Sequence, residues 1–388
     1  MQGLSKPRSE LPEMLVLEIL SKLPVKSLTH FRCVCKPWSS SFQTPHFITK
    51  HRHNNLKSNN LNVLFKRFNG NTRGDLYYFS QLSTVKGQNF SIEDNIHLPF
   101  FEICWYAPVA DGPCNGILCL DDGHDKAALW NPSTREFKIL PQSSVQRPPL
   151  VDSTTFRSLG FGYDSQTDNY KVVRFVVNYF EEDSDAGLMF DQNDQVELYS
   201  LKSDSWKEIS HPRVVPGDSP PFNSYVNGFY YWQTIRNCDF LILSFDMVNE
   251  KFSTLPLPQF GGTLAQYYLH LLDFNGFLGA IIYPREGTDK YFDLWVMNRS
   301  WSKTLSIESV PGVERPLGFW KNGELFLESS DHELVLFNPC TRQLKNFGIH
   351  DDRETMQTIG YVESLIPING RSEHEERIIR RPAVGGSN

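Results

Sequence analysis

The spacing of hydrophobic positions changes along the chain, and this change divides the sequence into two parts. Between residues 11 and 23, apolar residues recur mainly at steps of three or four, which is typical of one face of a helix; they are Leu11, Leu15, Ile19, Leu20 and Leu23. Two later prolines, Pro24 and Pro37, each interrupt the helical pattern because proline cannot donate the helix hydrogen bond. The segment 11–51 therefore predicts three short helices.

Beyond residue 60 the apolar runs become short, and glycine, proline, asparagine and aspartate separate them, as in β-strands joined by tight turns. An Asn-Gly dipeptide lies between apolar runs at 115–116, 227–228, 275–276 and 322–323. Asn-Gly is the preferred sequence of a type I′ turn, because both residues tolerate a positive φ. We expect each of these dipeptides to turn or begin a β-hairpin.

A second motif repeats five times and predicts a β-propeller. It consists of a large strand residue followed six or seven positions later by another, and its first members are Trp130, Tyr199, Phe245, Trp295 and Phe337. These lie 69, 46, 50 and 42 residues apart, close to the length of a four-stranded blade except in the first interval. A polar insertion at 181–194 accounts for the excess there.

A weaker first unit at 61–79 brings the predicted number of blades to about six, and the strand-like segment 358–362 is placed to close the ring beside the N-terminal strands. Seven blades and a pair of open β-sandwiches are the alternatives. The sandwich explains less, because it gives no reason for one motif to repeat.

Charge is distributed unevenly between the two parts. Residues 1–60 carry nine Lys and Arg against three Asp and Glu, a balance of +6, so the remaining 328 residues carry 29 against 42, a balance of -13. An acidic body repels phosphates, so we expect no nucleic acid partner. An acidic protein partner for the helices and a basic one for the body fit these charges better.

The helical segment is too small to bury a stable core alone, and its apolar side chains need a further surface. The sequence leaves two alternatives open. The helices complete their core against another protein, or they form a cap docked on the body of their own chain.

The sequence predicts a reducing compartment and no membrane partner. No apolar run approaches the length of a membrane helix, and residues 1–7 lack the apolar stretch of a signal peptide. The seven cysteines, an odd number, lie at 33, 35, 104, 114, 119, 238 and 340. We expect reduced thiols in the cytoplasm, with the nucleus as a second location.

Catalytic and metal-binding motifs are missing from the sequence. There is no G-x-S-x-G, no H-E-x-x-H and no phosphate loop. Gly160-Phe161-Gly162 lacks the third glycine and the helix of a dinucleotide site, so we interpret it as part of a strand. The cysteine spacings do not match a zinc site, and the aspartate pairs lack the further ligands of a calcium loop. We expect a binding protein with no catalytic residue, cofactor or metal.

The helical segment resembles an F-box, through Leu11-Pro12-Glu13-Met14-Leu15, Leu23-Pro24-Val25-Lys26-Ser27-Leu28 and Phe31-Arg32-Cys33-Val34-Cys35-Lys36-Pro37-Trp38. The resemblance implies that the helices complete their core on an acidic Skp-type adaptor, which links to a cullin and a RING subunit of a ubiquitin ligase. It implies nine adaptor-binding residues: Leu11, Pro12, Ile19, Leu20, Leu23, Pro24, Leu28, Val34 and Trp38.

The body resembles the kelch-like F-box-associated domain of plant F-box proteins, through Asn131-Pro132-Ser133-Thr134-Arg135-Glu136-Phe137 and Leu159-Gly160-Phe161-Gly162-Tyr163-Asp164. Within that group it is most similar to the pollen S-locus F-box family, through Leu129-Trp130-Asn131-Pro132, Ser300-Trp301-Ser302-Lys303 and Tyr361-Val362-Glu363-Ser364-Leu365-Ile366-Pro367. This implies an α+β multidomain chain in which a three-helix F-box precedes an all-β propeller.

The resemblance also implies the function. The chain is expected to be the substrate-recognition subunit of an SCF-type (Skp-cullin-F-box) E3 ubiquitin ligase that binds non-self S-RNases, which are basic secreted ribonucleases, and directs their ubiquitination and degradation in self-incompatibility. Two alternatives stay open. One is a receptor for another protein such as an immune receptor, and the other is a propeller that binds or processes a small sugar-like ligand.

The expected domain organisation is a flexible N-terminus at 1–8, an F-box at 9–52, a kelch-like propeller at 53–367 and a disordered tail at 368–388. Because the repeated strands share one pattern, partner discrimination should come from what interrupts the repeat. The first candidate is the acidic insertion 181–194 and the second is the turn 121–125. The predicted substrate-binding residues are Glu181, Glu182, Asp183, Asp185, Asp121 and Asp122.

Overall fold

The structure is a computed structural model, and it describes residues 11–58, 60–69, 76–85, 89–98, 109–121, 126–180, 194–216, 222, 224–236, 239–287, 289–351, 356–369 and 371–372. Helices come first in the chain and strands follow. The described residues form four α-helices, α1 Glu13–Leu20, α2 Val25–Phe31, α3 Lys36–Ser41 and α4 Pro45–Lys57.

The structure has one helix more than the sequence predicted, because the third predicted piece divides at Pro45. Proline is favoured in the first turn of a helix, and the Thr44 side chain caps the new helix by accepting a hydrogen bond from the Phe47 backbone N–H at 3.3 Å. Helix α4 then continues to Lys57, so a domain boundary at residue 52 falls inside it.

The strands of the described residues form six sheets, which are the six blades of a propeller. Their bounds are β1 Leu61–Asn69, β2 Leu76–Val85, β3 Asn89–His97, β4 Val109–Cys114, β5 Ile117–Asp121, β6 Ala127–Asn131, β7 Glu136–Ile139, β8 Ser153–Asp164, β9 Asn169–Tyr179, β10 Gln195–Ser200, β11 Ser205–Ile209, β12 Val215–Pro216, β13 Tyr225–Val226, β14 Phe229–Arg236, β15 Asp239–Asp246, β16 Lys251–Pro256, β17 Tyr267–Phe274, β18 Phe277–Pro284, β19 Asp289–Asn298, β20 Ser300–Pro311, β21 Val313–Phe319, β22 Leu325–Ser329, β23 Glu333–Asn338, β24 Gln343–His350, β25 Gln357–Val362 and β26 Arg371–Ser372.

The blades follow one another along the chain. Blade 1 contains β1–β3 with β25, blade 2 contains β4–β7 with β26, and blade 3 contains β8–β11. Blade 4 contains β12–β16, blade 5 contains β17–β20, and blade 6 contains β21–β24. The prediction of six blades is therefore confirmed, and seven blades and the sandwich pair are excluded.

The ring closes between the two ends of the propeller, as the sequence predicted. Strand β25 pairs antiparallel with β1, with Leu61 opposite Val362 and Lys66 opposite Gln357. In blade 1, β25 occupies the edge position that each other blade gives to its own first strand in chain order. Backbone hydrogen bonds between distant segments thus join blade 6 and blade 1 into one closed structure.

The two faces of the propeller follow from the alternation of strand direction within each blade. The first-to-second and third-to-fourth connections lie on one face, which we call the turn face and which carries the Asn-Gly pairs at 115–116, 227–228, 275–276 and 322–323. The second-to-third connections and the links between blades lie on the opposite face, which we call the link face. Asn115 has φ 54° and Gly116 has φ 81°, as a type I′ turn requires.

The repeated motif lies on the third and fourth strands of blades 2 to 6, and in four of these blades its two residues pair directly. Trp130 lies directly opposite Phe137, Tyr199 opposite Trp206, Phe245 opposite Phe252, and Phe337 opposite Leu344. The fifth pair differs: Trp295 lies opposite Lys303 rather than Trp301, because from Trp295 onward β19 and β20 pair without a break up to a one-residue turn, with Asn298 opposite Ser300.

The C-terminal segment enters the fold further than the sequence suggested. Ile368 is fully buried in a cluster with Leu129 and Phe161, and β26 pairs with β7 at the edge of blade 2. The first residues of the tail predicted at 368–388 are therefore part of the propeller. Residues 373–388 and the N-terminal residues 1–10 lie outside the described residues.

Candidate functional site

The helical unit presents a row of large apolar side chains to solvent. Leu15 and Ile19, four residues apart, lie on one side of α1, and Leu11 precedes the helix by two residues. With Met14 and Val34 they form what we call the apolar helical face. Their exposed fractions are Leu11 62%, Met14 83%, Leu15 51%, Ile19 54% and Val34 62%. Several large apolar side chains left exposed in one small helical unit indicate an interaction surface.

The nine adaptor-binding residues predicted from the sequence differ in their exposure to solvent. Exposed residues among them are Leu11, Pro12, Ile19, Pro24 and Val34, and Leu23 and Trp38 are partly buried. Leu20 and Leu28 instead lie inside the helical unit, with 4% and 0% of their surfaces exposed.

Met14 and Leu15 lie on the apolar helical face although they were not among the nine. The step of four residues from Leu11 through Leu15 to Ile19 is the sequence signal that includes Leu15. Met14 is adjacent to Leu15 and has no comparable signal in the spacing.

The opposite side of the helical unit docks on the propeller of the same chain. Leu365, which follows β25, is 4% exposed and packs in one cluster with Leu20, Val25, Leu28, Phe42 and Phe47. The backbone N–H of Val25 donates a 2.8 Å hydrogen bond to Oε2 of Glu363, which places a carboxylate at the N-terminus of α2, where the helix dipole favours it. The unit is therefore a docked cap that still leaves one apolar face open.

Buried polar contacts fix the helices to one another. His51 of α4 is fully buried, and its Nε2 lies 3.0 Å from the carbonyl oxygen of Leu23. Burial lowers the pKa of His51 below its ordinary value, so the ring is neutral at pH 7. The Asn54 amide donates to Oγ of Ser21 at 2.8 Å. These contacts hold the turn after α1 against α4 and so fix the direction of the apolar helical face.

One carboxylate beside this face is held by two cations. Glu18 accepts contacts from Lys50 at 2.5 Å and from Lys22 at 3.2 Å. The hydrogen bonds from Lys50 and Lys22 lower the pKa of Glu18. Glu18 is thus paired within the helical unit and presents no unpaired carboxylate beside the apolar helical face.

A cavity lies where α4 meets the propeller on the turn face. Its volume is about 380 Å³, and its lining includes Arg52 and Leu56 of α4 with Phe222, Asp273 and Trp320 of the propeller. Burial raises the pKa of Asp273. The cavity places the helical unit on the turn face, because Asn115 and Gly116 line it too.

The predicted substrate-binding residues belong to connections on the other face. The turn at 122–125 joins β5 to β6, and the insertion joins β9 to β10, so the strands that they connect end on the link face in neighbouring blades. Asp121, at the end of β5, is 8% exposed. Asp122 and the predicted acidic residues of the insertion, Glu181, Glu182, Asp183 and Asp185, lie outside the described residues.

A buried ion cluster lies in blade 3 beside the strands that the insertion connects. Glu197 is fully buried and contacts Arg174 at 2.6 Å and Arg147 at 2.5 Å. The Arg174 guanidinium also stacks over Trp206, 3.7 Å from the ring centroid. Breaking such a pair leaves a buried charge uncompensated, so the cluster holds β9 and β10 in one register.

Among the described residues, no group of three or more His, Cys, Asp and Glu side chains is arranged to hold a metal ion. In the same part of the chain, no helix is both long and apolar enough to cross a membrane. Cys33, Cys35, Cys114, Cys119 and Cys340 form no disulfide.

Comparison with protein families finds two matches. Residues 9–50 match the F-box domain, and residues 63–330 match the F-box associated beta propeller domain. An F-box/kelch-repeat protein of Arabidopsis thaliana is 28% identical over 348 residues, which cover 84% of this chain and 87% of the relative. The F-box protein CPR1 of the same plant is 26% identical over 391 residues, covering 92% of this chain and 88% of the relative.

Solved structures are more distant. An oligogalacturonate lyase in complex with manganese is 12% identical with a TM-score of 0.41, covering 76% of this chain and 75% of the lyase. The propeller of Dos1 is 9% identical with a TM-score of 0.34, covering 71% and 67%. Similarity at this level carries no inference about function.

Proposed function

This chain belongs to the F-box proteins that carry an F-box associated β-propeller domain, and from that membership we propose that it is the substrate-recognition subunit of an SCF-type E3 ubiquitin ligase. The observation that carries the proposal is the apolar helical face, which remains exposed although the other side of the helical unit is docked on the propeller. A Skp-type adaptor on this face would link the chain to a cullin and a RING subunit.

This assignment gives the helical unit and the propeller different binding partners. The helical unit occupies part of the turn face, so the link face is the open surface of the propeller for a protein substrate. Ubiquitin transfer is performed by the other subunits, and this chain contributes binding and orientation. The proposal places the chain in the cytoplasm or nucleus.

The finer proposal is that the substrate is a basic protein, and that it is a non-self S-RNase of the self-incompatibility response. The resemblance to the pollen S-locus F-box family implies this substrate. The balance of -13 over the propeller and tail supports it, because opposite charges speed association between proteins. The acidic insertion at 181–194 joins strands that end on the link face, where we place the substrate.

The substitution Ile19→Glu tests adaptor binding most directly. Ile19 is 54% exposed, so the variant should fold, whereas Leu20 is buried and its substitution would disturb the helical core. Burying an apolar side chain of this size contributes about 1.5–3 kcal/mol, and a carboxylate in its place adds a desolvation cost. We expect the affinity for a Skp-type adaptor to fall by roughly a hundredfold or more, as measured by co-purification and by titration of the purified adaptor.

Leu150→Glu is the matched control, because Leu150 is 91% exposed and lies in the propeller, away from the helices. It should bind the adaptor as the unmodified chain does. Full adaptor binding by Ile19→Glu, in a variant whose thermal unfolding is unchanged, would contradict the assignment of this face.

A further inference from the structure

A polar cleft lies between blades 5 and 6. It has a volume of about 600 Å³, and Tyr268, Arg285, Lys290, Arg315, Glu328 and His332 are among its lining residues. These residues stand near the start of β17, after β18, at the start of β19 and β21, and around the β22–β23 connection. All of these positions belong to the link face, so the cleft opens on the side opposite the helical unit.

Lys290 places a buried ammonium group in the cleft wall. The residue is 3% exposed, and its Nζ donates to the backbone carbonyl oxygens of Arg285 at 2.9 Å and Pro284 at 3.3 Å. Among the side chains that the structure describes, no carboxylate forms an ion pair with it. A buried charge without a counter-charge is costly, so this position favours an anion from outside the chain.

Arg285 adds a second cation, which is oriented but not neutralised. Its guanidinium stacks over Tyr268, 4.1 Å from the ring centroid, and its Nε donates to the carbonyl oxygen of Leu264 at 2.8 Å. Within the described part of the chain, its two terminal amino groups have no hydrogen-bond partner. An arginine held by stacking, with its terminal amino groups open, is suited to grip a carboxylate or phosphate through two hydrogen bonds.

The buried carboxylate of the cleft is already engaged on the blade 6 side. Glu328 is 1% exposed and contacts Arg315 at 2.7 Å and His332 at 2.8 Å. Glu314 also lines the cleft but is exposed to solvent. Three cations against two carboxylates leave the cleft with a balance of +1, within a propeller and tail whose balance is -13.

We propose that this cleft binds an anionic residue of the substrate, a phosphorylated or acidic side chain within a peptide segment. Arg285 contacts the anionic oxygens, Lys290 supplies the buried counter-charge, and Tyr268 holds the guanidinium in place. The inference rests on the proposed function, because it assigns the bound segment to the substrate. A substrate that is basic overall would then carry one acidic or phosphorylated anchor for blades 5 and 6.

Degenerate peptide libraries with one fixed central residue test the proposal on the purified full chain, and adaptor binding is measured separately. The central residue is phosphoserine, glutamate or alanine, and binding is measured by fluorescence anisotropy. We expect the phosphoserine or glutamate library to bind at least tenfold more tightly than the alanine library. Tighter binding of phosphoserine assigns a phosphate ligand, and equal binding of phosphoserine and glutamate assigns a carboxylate.

Arg285→Gln should remove this preference while leaving adaptor binding unchanged. Arg236→Gln is the matched control, because Arg236 is exposed at the end of β14 on the same face and does not line the cleft. Equal binding of all three libraries, or equal loss in both variants, overturns the proposal. If the unmodified chain does not bind the adaptor, the proposed function fails. The peptide measurements do not depend on adaptor binding, so they test the cleft separately.

Discussion

At the scale of single residues, two glycines show how closely neighbouring blades pack. Gly160 and Gly162 lie in β8 of blade 3. A Cβ added at Gly160 would lie 2.3 Å from Cζ2 of Trp232, and one at Gly162 would lie 2.6 Å from Cε2 of Tyr225, both in blade 4. The Gly-x-Gly sequence thus makes room for aromatic side chains of the next blade.

Gly160→Ala should therefore destabilise the propeller. The aromatic ring of Trp232 is fully buried, so it cannot move away from the added methyl group. Overpacking should lower the free energy of unfolding by about 1–3 kcal/mol and lower the unfolding midpoint. Gly360→Ala is the control, because its Cβ would meet Leu61 at an ordinary 3.5 Å. Thermal and urea unfolding of the two variants provides the comparison, and equal stability would contradict this account of the motif.

Single residues also show where prediction from the sequence reaches its limit. Ile19 and Leu20 are adjacent and equally apolar, yet one is 54% exposed and the other 4%. The two side chains point in different directions around α1, and Leu20 lies in the core cluster of the helical unit that Leu365, distant in the sequence, completes. A contact across that distance leaves no periodic signal in the chain, so the pattern identified the helical unit but not its buried face.

At the scale of elements, the hairpins were the most predictable part of the fold, because turn chemistry is local. The side chain of Asn131 accepts hydrogen bonds from the backbone N–H groups of Ser133 and Thr134, and Asn338 does the same for Cys340 and Thr341. These contacts are encoded by neighbouring residues. Strand β26 was missed because its charged surroundings resemble a tail, and its pairing depends on the distant β7.

The acidic insertion gives a prediction about an element. Neutralising Glu181, Glu182, Asp183 and Asp185 together should slow association with a basic substrate protein at low salt. The difference should shrink above about 0.15 M salt, where screening limits the field to roughly 8 Å. Stopped-flow or surface-based association rates measure the effect.

The control removes the same charge from exposed carboxylates at Asp94, Asp168, Glu208 and Glu308, none of which lies in the insertion. If both variants associate equally fast, the insertion has no specific steering role. An unchanged rate at low salt in the first variant would mean that the insertion is a spacer between strands.

At the scale of the whole molecule, the fold separates two surfaces. The helical unit docks on the turn face through Glu363 and Leu365 and directs its apolar face outward, while the link face stays open. The six-bladed ring was predictable because one motif recurs five times at intervals of 42 to 50 residues, apart from one interval lengthened by an insertion. The docking of the helices and the charged cleft were not, because both join segments from different parts of the chain.

We infer that one surface binds the adaptor and that the propeller independently selects a protein for ubiquitination. Quantitative mass spectrometry under proteasome inhibition tests it, by comparing proteins captured by the unmodified chain and by Ile19→Glu. We expect at least one protein to be captured equally by both chains and to carry ubiquitin only with the unmodified chain. If every captured protein is ubiquitinated to the same extent with both chains, or none is captured by Ile19→Glu, the claim is contradicted.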